Sequence, residues 1–392
     1  MDFYEVNTLD VIVYGMGNSF LESECYLKER VNIVGCSDSD EGKRNCEIAK
    51  RYQFYSPKEF LGVSFDYLFI ASIYDEEICS GLVEQYGIKR DKIMVRNEWS
   101  RLVFLKHGGY AYPDAYAYIV EKPIRVKSGL FSYVFSVIDQ FQYLNGLDVK
   151  PVMDMQSYPN IYMNKDKVGR ENAWEYYFEP LSDVKLKDVG GFQNILLGYD
   201  SPDYKTDYMQ KYDIDKLHEV YKKYIHIKSD VMQGIDRECS EILPDGFEKV
   251  LGVLYRGTDM VNLKLKDHPV QPTIEEMCSL IEEYMAKWQC DTIYLCTEDA
   301  AALERFKECF PGRVACSSQT RFRNTGNKWL GELFDDMDAD KRNFGRDYLT
   351  TIEILSRCNN MIASVCTGSV CAHIMHGNKY EHLLMIDKGS YK

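Results

Sequence analysis

From residue 250 onward, short apolar runs alternate with segments of helical period, and this alternation constrains the fold more than any other feature of the chain. Strands are expected at Val250–Tyr255, Thr292–Cys296, Arg313–Ala315 and Asn360–Ala363. Helices are expected from near Thr273, at Ala300–Phe310, Tyr348–Arg357 and Ser369–His376. Thr273-Ile274-Glu275-Glu276 has the spacing of a capping box, in which a threonine and a glutamate satisfy each other's backbone N–H groups. Strands this short and continuously apolar suit a parallel sheet covered on both faces by helices, so the loops after the strands face one cleft.

The same alternation, less clear, runs through the rest. Residues 1 to about 100 read as a small doubly wound unit: strand Val11–Tyr14, helix Ser19–Glu29, strand Val31–Cys36, strand Tyr67–Ser72 and a helix after Asp75. Residues 101 to 245 are rich in tyrosine, with loop-like stretches at Gly108-Gly109 and Ser201-Pro202-Asp203. There Ile124–Phe131, an apolar run to Leu144 and Asp148–Asp154 suggest strand, helix, strand. At 392 residues the chain exceeds a single core. The expected class is therefore α/β, with a pair of Rossmann-like units at 106–245 and 246–392 preceded by another at 1–105.

Composition narrows the partners. A formal charge of −14 repels nucleic acid and anionic lipid, so an anionic ligand must be met by a few placed arginines. The 13 cysteines are odd in number and show neither CxxC pairs nor zinc spacing, so they read as reduced, mostly buried thiols. No segment reaches the roughly 18 apolar residues of a membrane span, and the start lacks a signal-peptide pattern, so a cytoplasmic protein is expected.

Four features fall at expected strand ends or adjoining loops. Leu251–Tyr255 ends at Arg256-Gly257-Thr258-Asp259, with His268-Pro269 nine residues on; Thr297-Glu298-Asp299 follows the next strand; Arg321 and Arg323 lie in the polar loop; and Cys366-Thr367-Gly368-Ser369 opens the last helix. An arginine at a strand's carboxyl end can grip a diphosphate bidentately and neutralise charge on it as it departs. Thr367, Gly368 and Ser369 would hold the same phosphates at the positive end of a helix dipole. Glu298 or Asp299 would accept hydrogen bonds from a base or ribose. The plainer alternatives are a salt bridge for Arg256, a solvated loop for the two acids and an N-cap for Thr367 or Ser369.

Two further sites carry weaker signals. Gly15-Met16-Gly17-Asn18-Ser19, followed by Asp38 and Asp40 after the second strand, resembles a dinucleotide fingerprint whose third glycine is replaced by Phe20; a tight turn alone would also explain the glycines. Glu171–Pro180 mixes aromatics with carboxylates, as a sugar-stacking surface or as core. The run Asp335-Asp336-Met337-Asp338 reads as a solvated face, and no metal site is expected.

Tyr255–Asp259 with His268-Pro269, Tyr294–Asp299, and Leu355–Cys358 leading to Cys366–Cys371 occur in an order that resembles the α1,6-fucosyltransferase and O-fucosyltransferase superfamily. The match covers about 250 to 376 well and 120 to 160 more loosely, and residues 1–100 are similar to Rossmann-like domains at the front of bacterial sugar-modifying proteins. The resemblance implies a GT-B pair of facing halves, an inverting, metal-independent transfer of fucose from GDP-fucose, and a bacterial surface glycan or glycolipid as acceptor. It implies Arg256 as a catalytic residue, and Asp259 and Glu298, by their place at the strand ends, are the candidate catalytic acids. Donor contacts would come from Gly257, Thr258, His268, Thr297, Asp299, Arg321, Arg323, Asp347, Thr367, Gly368 and Ser369. Gly15, Gly17, Asn18 and Asp38 stay open as a second nucleotide site.

The chain departs from that pattern in three places. The family carries two adjacent arginines where this chain has Arg256-Gly257, a glutamate where Lys264 stands, and a late-helix aspartate where Thr351 stands, with Asp347 and Glu353 a turn or less away. Asp259, Asp267 and Glu298 remain as possible bases. A nucleotide-sugar-binding scaffold without turnover, or nucleotide-dependent chemistry in the first unit, are the other functions these residues allow.

Overall fold

The computed structural model describes residues 10–28, 31–95, 106–107, 112–122, 127–142, 149–198, 210, 212–323, 325–326, 328–336 and 340–392. The first unit runs β1 (Asp10–Tyr14), α1 (Asn18–Lys28), β2 (Asn32–Ser37), β3 (Tyr67–Ile70), α2 (Asp75–Tyr86) and β4 (Ile93–Met94). Its four strands are all parallel, in the order β2-β1-β3-β4.

The second unit runs β5 (Lys106–His107), β6 (Tyr112–Glu121), α3 (Leu130–Phe141), β7 (Val149–Asp154) and β8 (Phe192–Leu197), followed by α4 (Ile214–Tyr224) and α5 (Ser229–Ile242). Here β6 pairs in parallel with both β7 and β8, and only β5 is antiparallel. A strand at Tyr112–Glu121 precedes α3; of the expected strand over Ile124–Phe131, residues 127–129 are loop and residues 130–131 already belong to α3, a correction to the sequence reading. Pro113 and Asp114 near the start of β6 disguise it, since proline gives up a ladder donor. Ile124–Val126, Gly108-Gly109 and Ser201–Asp203 lie outside the described residues.

The third unit runs β9 (Val250–Leu254), α6 (Thr258–Asn262), α7 (Ile274–Lys287), β10 (Thr292–Cys296), α8 (Ala300–Cys309), β11 (Val314–Ala315), α9 (Leu330–Asp336), α10 (Lys341–Ser356), β12 (Asn360–Ser364), α11 (Thr367–His376) and β13 (His382–Ile386). All five strands are parallel in the order β11-β10-β9-β12-β13, so the chain reverses direction of travel across the sheet at the β9/β12 boundary. Ligands of open α/β sheets bind at the carboxyl ends of the strands beside such a switch point. β9 and β12 are buried along their whole length, as expected of strands covered on both faces. Gly252 makes room for α10: a Cβ there would lie 2.7 Å from Leu355 and 3.1 Å from the Cys358 Sγ.

Thr273 and Glu276 form the capping box that the sequence suggests. α10 begins at Lys341, seven residues before the expected Tyr348, because Asp340 caps it by accepting the Arg342 N–H. The second and third units share one core, in which α3, α10 and α11 pack together and α4 lies on α11. Among the described residues no helix is long and apolar enough to cross a membrane.

The aromatic segment at 171–180 belongs mainly to this core. Trp174, Tyr177 and Phe178 are each 1% exposed, Trp174 stacks on Phe178 at 4.3 Å and donates its indole N–H to Glu179 O at 3.0 Å. The sugar-stacking reading of Trp174 is therefore corrected to packing. Trp174→Ala is expected to lower unfolding free energy by about 3–5 kcal/mol through the cavity it leaves. Urea denaturation would show this, and nucleotide binding by the remaining folded protein should be unchanged.

Candidate functional site

β9 and β10 end side by side, and their last residues place a guanidinium among three carboxylates. Arg256 lies two residues beyond the end of β9, after Tyr255. Its Nη2 lies 3.0 Å from Asp259 Oδ1, and its Nη1 is ion-paired with Glu298 Oε1. The arginine side chain remains 21% exposed. Burial works against its charge, but Asp259 and Glu298 outweigh this and push the guanidinium above its ordinary value.

The turn that carries these groups is strained. Thr258 has φ of +47°, a conformation that β-branched residues seldom adopt. It is held there from three sides. Its hydroxyl lies 2.9 Å from Glu298 Oε1 and 3.2 Å from Asp259 Oδ1, and its N–H donates to Asp299 Oδ2 at 3.3 Å. Strain fixed by surrounding bonds is common where a site must be held in one geometry. Gly257 fits for a different reason: a Cβ there would lie 2.6 Å from Asp299 Oδ2. No second arginine could stand at this position without moving Asp299.

The three acids differ in what they are free to do. Asp299 caps α8 through the N–H groups of Ala301 and Ala302, at 2.9 and 3.0 Å. Asp259 is buried and accepts from Arg256, from the N–H of Met260 at 2.9 Å and from that of Leu330 at 3.1 Å, as well as lying within reach of the Thr258 hydroxyl. Glu298 accepts from Arg256 and Thr258 at a single oxygen. Burial raises its pKa, Arg256 opposes this and Asp259 adds to it, and the net shift is upward. A mostly buried carboxylate with a raised pKa is the kind of group that general acid–base chemistry uses. Asp267 and Lys264 are exposed on the following loop, away from this cluster's bonds.

The loops around the cluster carry the remaining residues. Thr297 is buried; its hydroxyl accepts the Asp299 N–H at 3.2 Å and its carbonyl accepts from Gln319 at 2.6 Å. Arg321 turns inward, bonding the carbonyls of Gln319 and Ser317 at 3.1 and 2.9 Å, and so braces the loop after β11. Arg323 points away: it is 69% exposed and ion-paired with Glu304 on the surface. His268 lies edge-on to Trp329, with ring centres 5.5 Å apart. Asp338 and Met337 of the acidic run lie outside the described residues.

At the start of α11, Ser369 is fully buried and its hydroxyl faces inward, toward Ser364 O at 2.7 Å and Cys366 O at 2.9 Å, while accepting the Cys366 N–H at 3.0 Å. It is a cap, and the sequence reading of its hydroxyl as a phosphate contact is corrected. Thr367 and Gly368 supply the first-turn N–H groups, which have no partner within a helix. Gly368 lies under Tyr348, whose phenolic oxygen would be 2.5 Å from a Cβ at that position. Tyr348 is thus a site residue that motif reading missed. Burial pushes its pKa up, with Cys366 adding to it and Arg256 opposing. Its signal was helical phase: it lies three residues before Thr351 on α10.

Thr351, where the resemblance expects an aspartate, bonds Ser317 Oγ at 2.6 Å, Asp347 O at 2.8 Å and Gln319 Oε1 at 3.3 Å. Asp347 is half-buried beside the N–H of Thr320 and near Glu238. Burial, reinforced by Glu238, lifts it from 3.8 to about 6. A carboxyl raised on folding favours the folded state while protonated in both states, and that stability is lost as pH rises from about 4 to about 6. Asp347→Asn is therefore expected to gain about 1–3 kcal/mol at pH 8 and almost nothing at pH 4, measured by urea denaturation at each pH.

The glycine turn of the first unit is a separate place. Gly15 has φ of +99°, and a Cβ on it would lie 2.9 Å from Ala71 O. Asp38 reaches back to this turn: it accepts the Met16 N–H at 2.7 Å, the Asp40 N–H at 3.0 Å and the Lys43 ammonium at 2.8 Å. Burial works against its charge, but Lys43 and these N–H groups hold it below its usual value. The acid thus braces the turn, while Gly17 and Asn18 are exposed.

Residues 7–94 match the family model described as C2185-like, N-terminal, which spans the first sheet. No curated protein matches the chain in sequence. Among solved structures, NodZ alpha-1,6-fucosyltransferase co-crystallised with GDP is similar over 66% of this chain and 91% of its own, at 14% identity and a TM-score of 0.38. The fucosyltransferase NodZ from Bradyrhizobium gives the same coverage, identity and score. POFUT1 in complex with GDP-fucose is similar over 97% of this chain and 98% of its own, at 8% identity and a TM-score of 0.31. The roles of individual residues here rest on this chain's own side chains.

Proposed function

We propose that the third unit binds a nucleotide-sugar and that the protein is an inverting glycosyltransferase, with fucose from GDP-fucose as the sugar moved and a bacterial surface glycan or glycolipid as acceptor. The observation that carries this reading is the partly exposed fork of Arg256 just past the β9 end, beside the start of α11 and next to a mostly buried glutamate with a raised pKa. The diphosphate lies between Arg256 and the first N–H groups of α11. Glu298 takes the proton of the acceptor hydroxyl. The acceptor oxygen attacks the anomeric carbon from the face opposite the diphosphate, and the electrons of the breaking C–O bond leave with the phosphate. Arg256 and the helix dipole neutralise that charge, the work that a divalent ion does elsewhere, so no metal is required.

One observation favours a second reading. Arg256 is already engaged by Asp259 and Glu298, as in a protein that binds a nucleotide-sugar without turning it over. A thermal-shift panel of GDP-, UDP-, CMP- and dTDP-sugars, followed by assays of donor hydrolysis and transfer, separates the two. Stabilisation by GDP-fucose with turnover supports the transferase. Stabilisation without turnover supports the scaffold, and stabilisation by UDP-sugars alone overturns the fucose assignment. Glu298→Gln should bind GDP at least as tightly as the parent, because a negative charge beside the diphosphate is removed, and lose at least about a hundredfold in turnover.

A further inference from the structure

α7 and α8 pack on each other against the third sheet, and two cysteines meet where they touch. Cys278, in the second turn of α7, donates its thiol at 3.1 Å to Sγ of Cys309, the last residue of α8. Both are free and partly exposed, whereas Cys296, Cys358 and Cys371 are buried in the core. Met277, Ile281, Phe306 and Phe310, from the same two helices, are buried in one apolar cluster with them, which fixes the approach of the helices. A disulfide sets its sulfurs about 2.0 Å apart, so about 1 Å of closure would join this pair. Burial pushes the Cys278 thiol up, Cys309 adds to this, and Arg305, one turn before Cys309, opposes it. Cys278 therefore keeps its proton, and Cys309 is the sulfur that meets an oxidant first.

We propose that Cys278 and Cys309 form a reversible oxidation site, which hydrogen peroxide closes into a disulfide that staples α7 to α8. The Cys309 sulfur attacks one peroxide oxygen. An S–O bond forms, the O–O bond breaks, and the departing oxygen leaves with the thiol proton as water. The Cys278 sulfur then attacks that of Cys309: the S–S bond forms, the S–O bond breaks, and a second water carries away the Cys278 proton. Two thiols lose two electrons, and one peroxide becomes two waters. Exchange with a small dithiol reverses the staple. The cross-linked residues are 31 apart in sequence, so the staple removes conformational freedom from the unfolded chain. Tyr255, which precedes Arg256, packs edge-on to Phe306 at 5.6 Å and lies near Cys278. The staple thus also holds the residue from which the Arg256 turn emerges. Neither the cross-link nor its effect on stability depends on the transferase reading.

The test exposes the full reduced chain to a small molar excess of hydrogen peroxide, then alkylates free thiols and maps tryptic peptides. Asp267–Lys287 and Glu308–Arg313 carry one cysteine each and should appear joined, with two fewer of the 13 cysteines alkylated. The oxidised protein should melt at least about 3 °C higher than the reduced one, and dithiothreitol should reverse the rise. Cys278→Ser and Cys309→Ser should each abolish both the joined peptides and the rise. The map of the parent chain stands by itself if either variant fails to fold. Both thiols left unreacted, sulfinic acid at Cys309, or cross-links between chains would overturn the oxidation site. A joined pair that melts no higher would overturn the staple.

Discussion

Arg256→Ala is expected to cut transfer from GDP-fucose by about a hundredfold to a thousandfold and to lower unfolding free energy by about 3–5 kcal/mol. Both effects come from one arrangement. On the proposed reading the guanidinium is the charged fork against the donor's diphosphate, and a single such donor is worth two to three orders of magnitude in rate. In the free protein it is, among the described residues, the cation bonded to Asp259 and Glu298, and removing it leaves two largely buried carboxylates to repel each other. Glu298, already raised by burial, would rise further and take up a proton. The stability loss should therefore be largest at high pH and shrink toward pH 5, which urea denaturation across that range would show. Arg256→Lys separates the contributions: it keeps the charge, restoring much of the stability, but a point charge lacks the fork and should leave transfer well below the parent. A folded Arg256→Ala variant that transfers within a few-fold of the parent would remove Arg256 from the chemistry.

The parts of this site legible in the sequence are those fixed by strand ends. β9, β10 and β12 are buried on both faces, so they read as continuous apolar runs, and the residues that follow them must emerge at one edge. Arg256, Thr258, Asp259, Glu298 and Asp299 are gathered for that reason. What was not legible depends on side-chain direction. Ser369 lies in the first turn of α11, near where its motif suggests, yet its hydroxyl turns toward Ser364, since a rotamer is chosen by packing and not by spacing. Arg321 and Arg323 are two residues apart and look alike in sequence; one braces the loop from inside and the other is on the surface. Tyr348 is one of 30 tyrosines, and only its phase on α10 distinguishes it. α4 and α5 carried a readable signal, with Ile214, Leu217 and Val220, then Val231, Ile235 and Cys239, recurring every three or four residues on the buried face.

Gly257 is where sequence logic and structure give opposite forecasts. By resemblance, Gly257→Arg restores a pair of adjacent arginines and should tighten the grip on a diphosphate. By geometry it should do the reverse. The new Cβ would lie 2.6 Å from Asp299 Oδ2 and 2.8 Å from Asp299 Cβ, and Asp299 cannot retreat without loosening its bonds to Ala301, Ala302 and Thr258. Overpacking of this kind costs about 1–3 kcal/mol, and a lost cap adds about 1 kcal/mol. Displacing Asp299 also releases Thr258 from its strained turn, which carries Arg256 away from the α11 start. Gly257→Ala, which adds only the clashing methyl, should therefore lose most of the stability that Gly257→Arg loses, and both should weaken GDP-fucose binding at least tenfold. A double-mutant cycle tests the cause: with Asp299→Ala in the background, either substitution should cost at least about 1 kcal/mol less than it does alone, because the two residues are in contact. Strict additivity, or tighter donor binding by Gly257→Arg, would mean that the wall at Asp299 yields and that the missing arginine is only a missing charge.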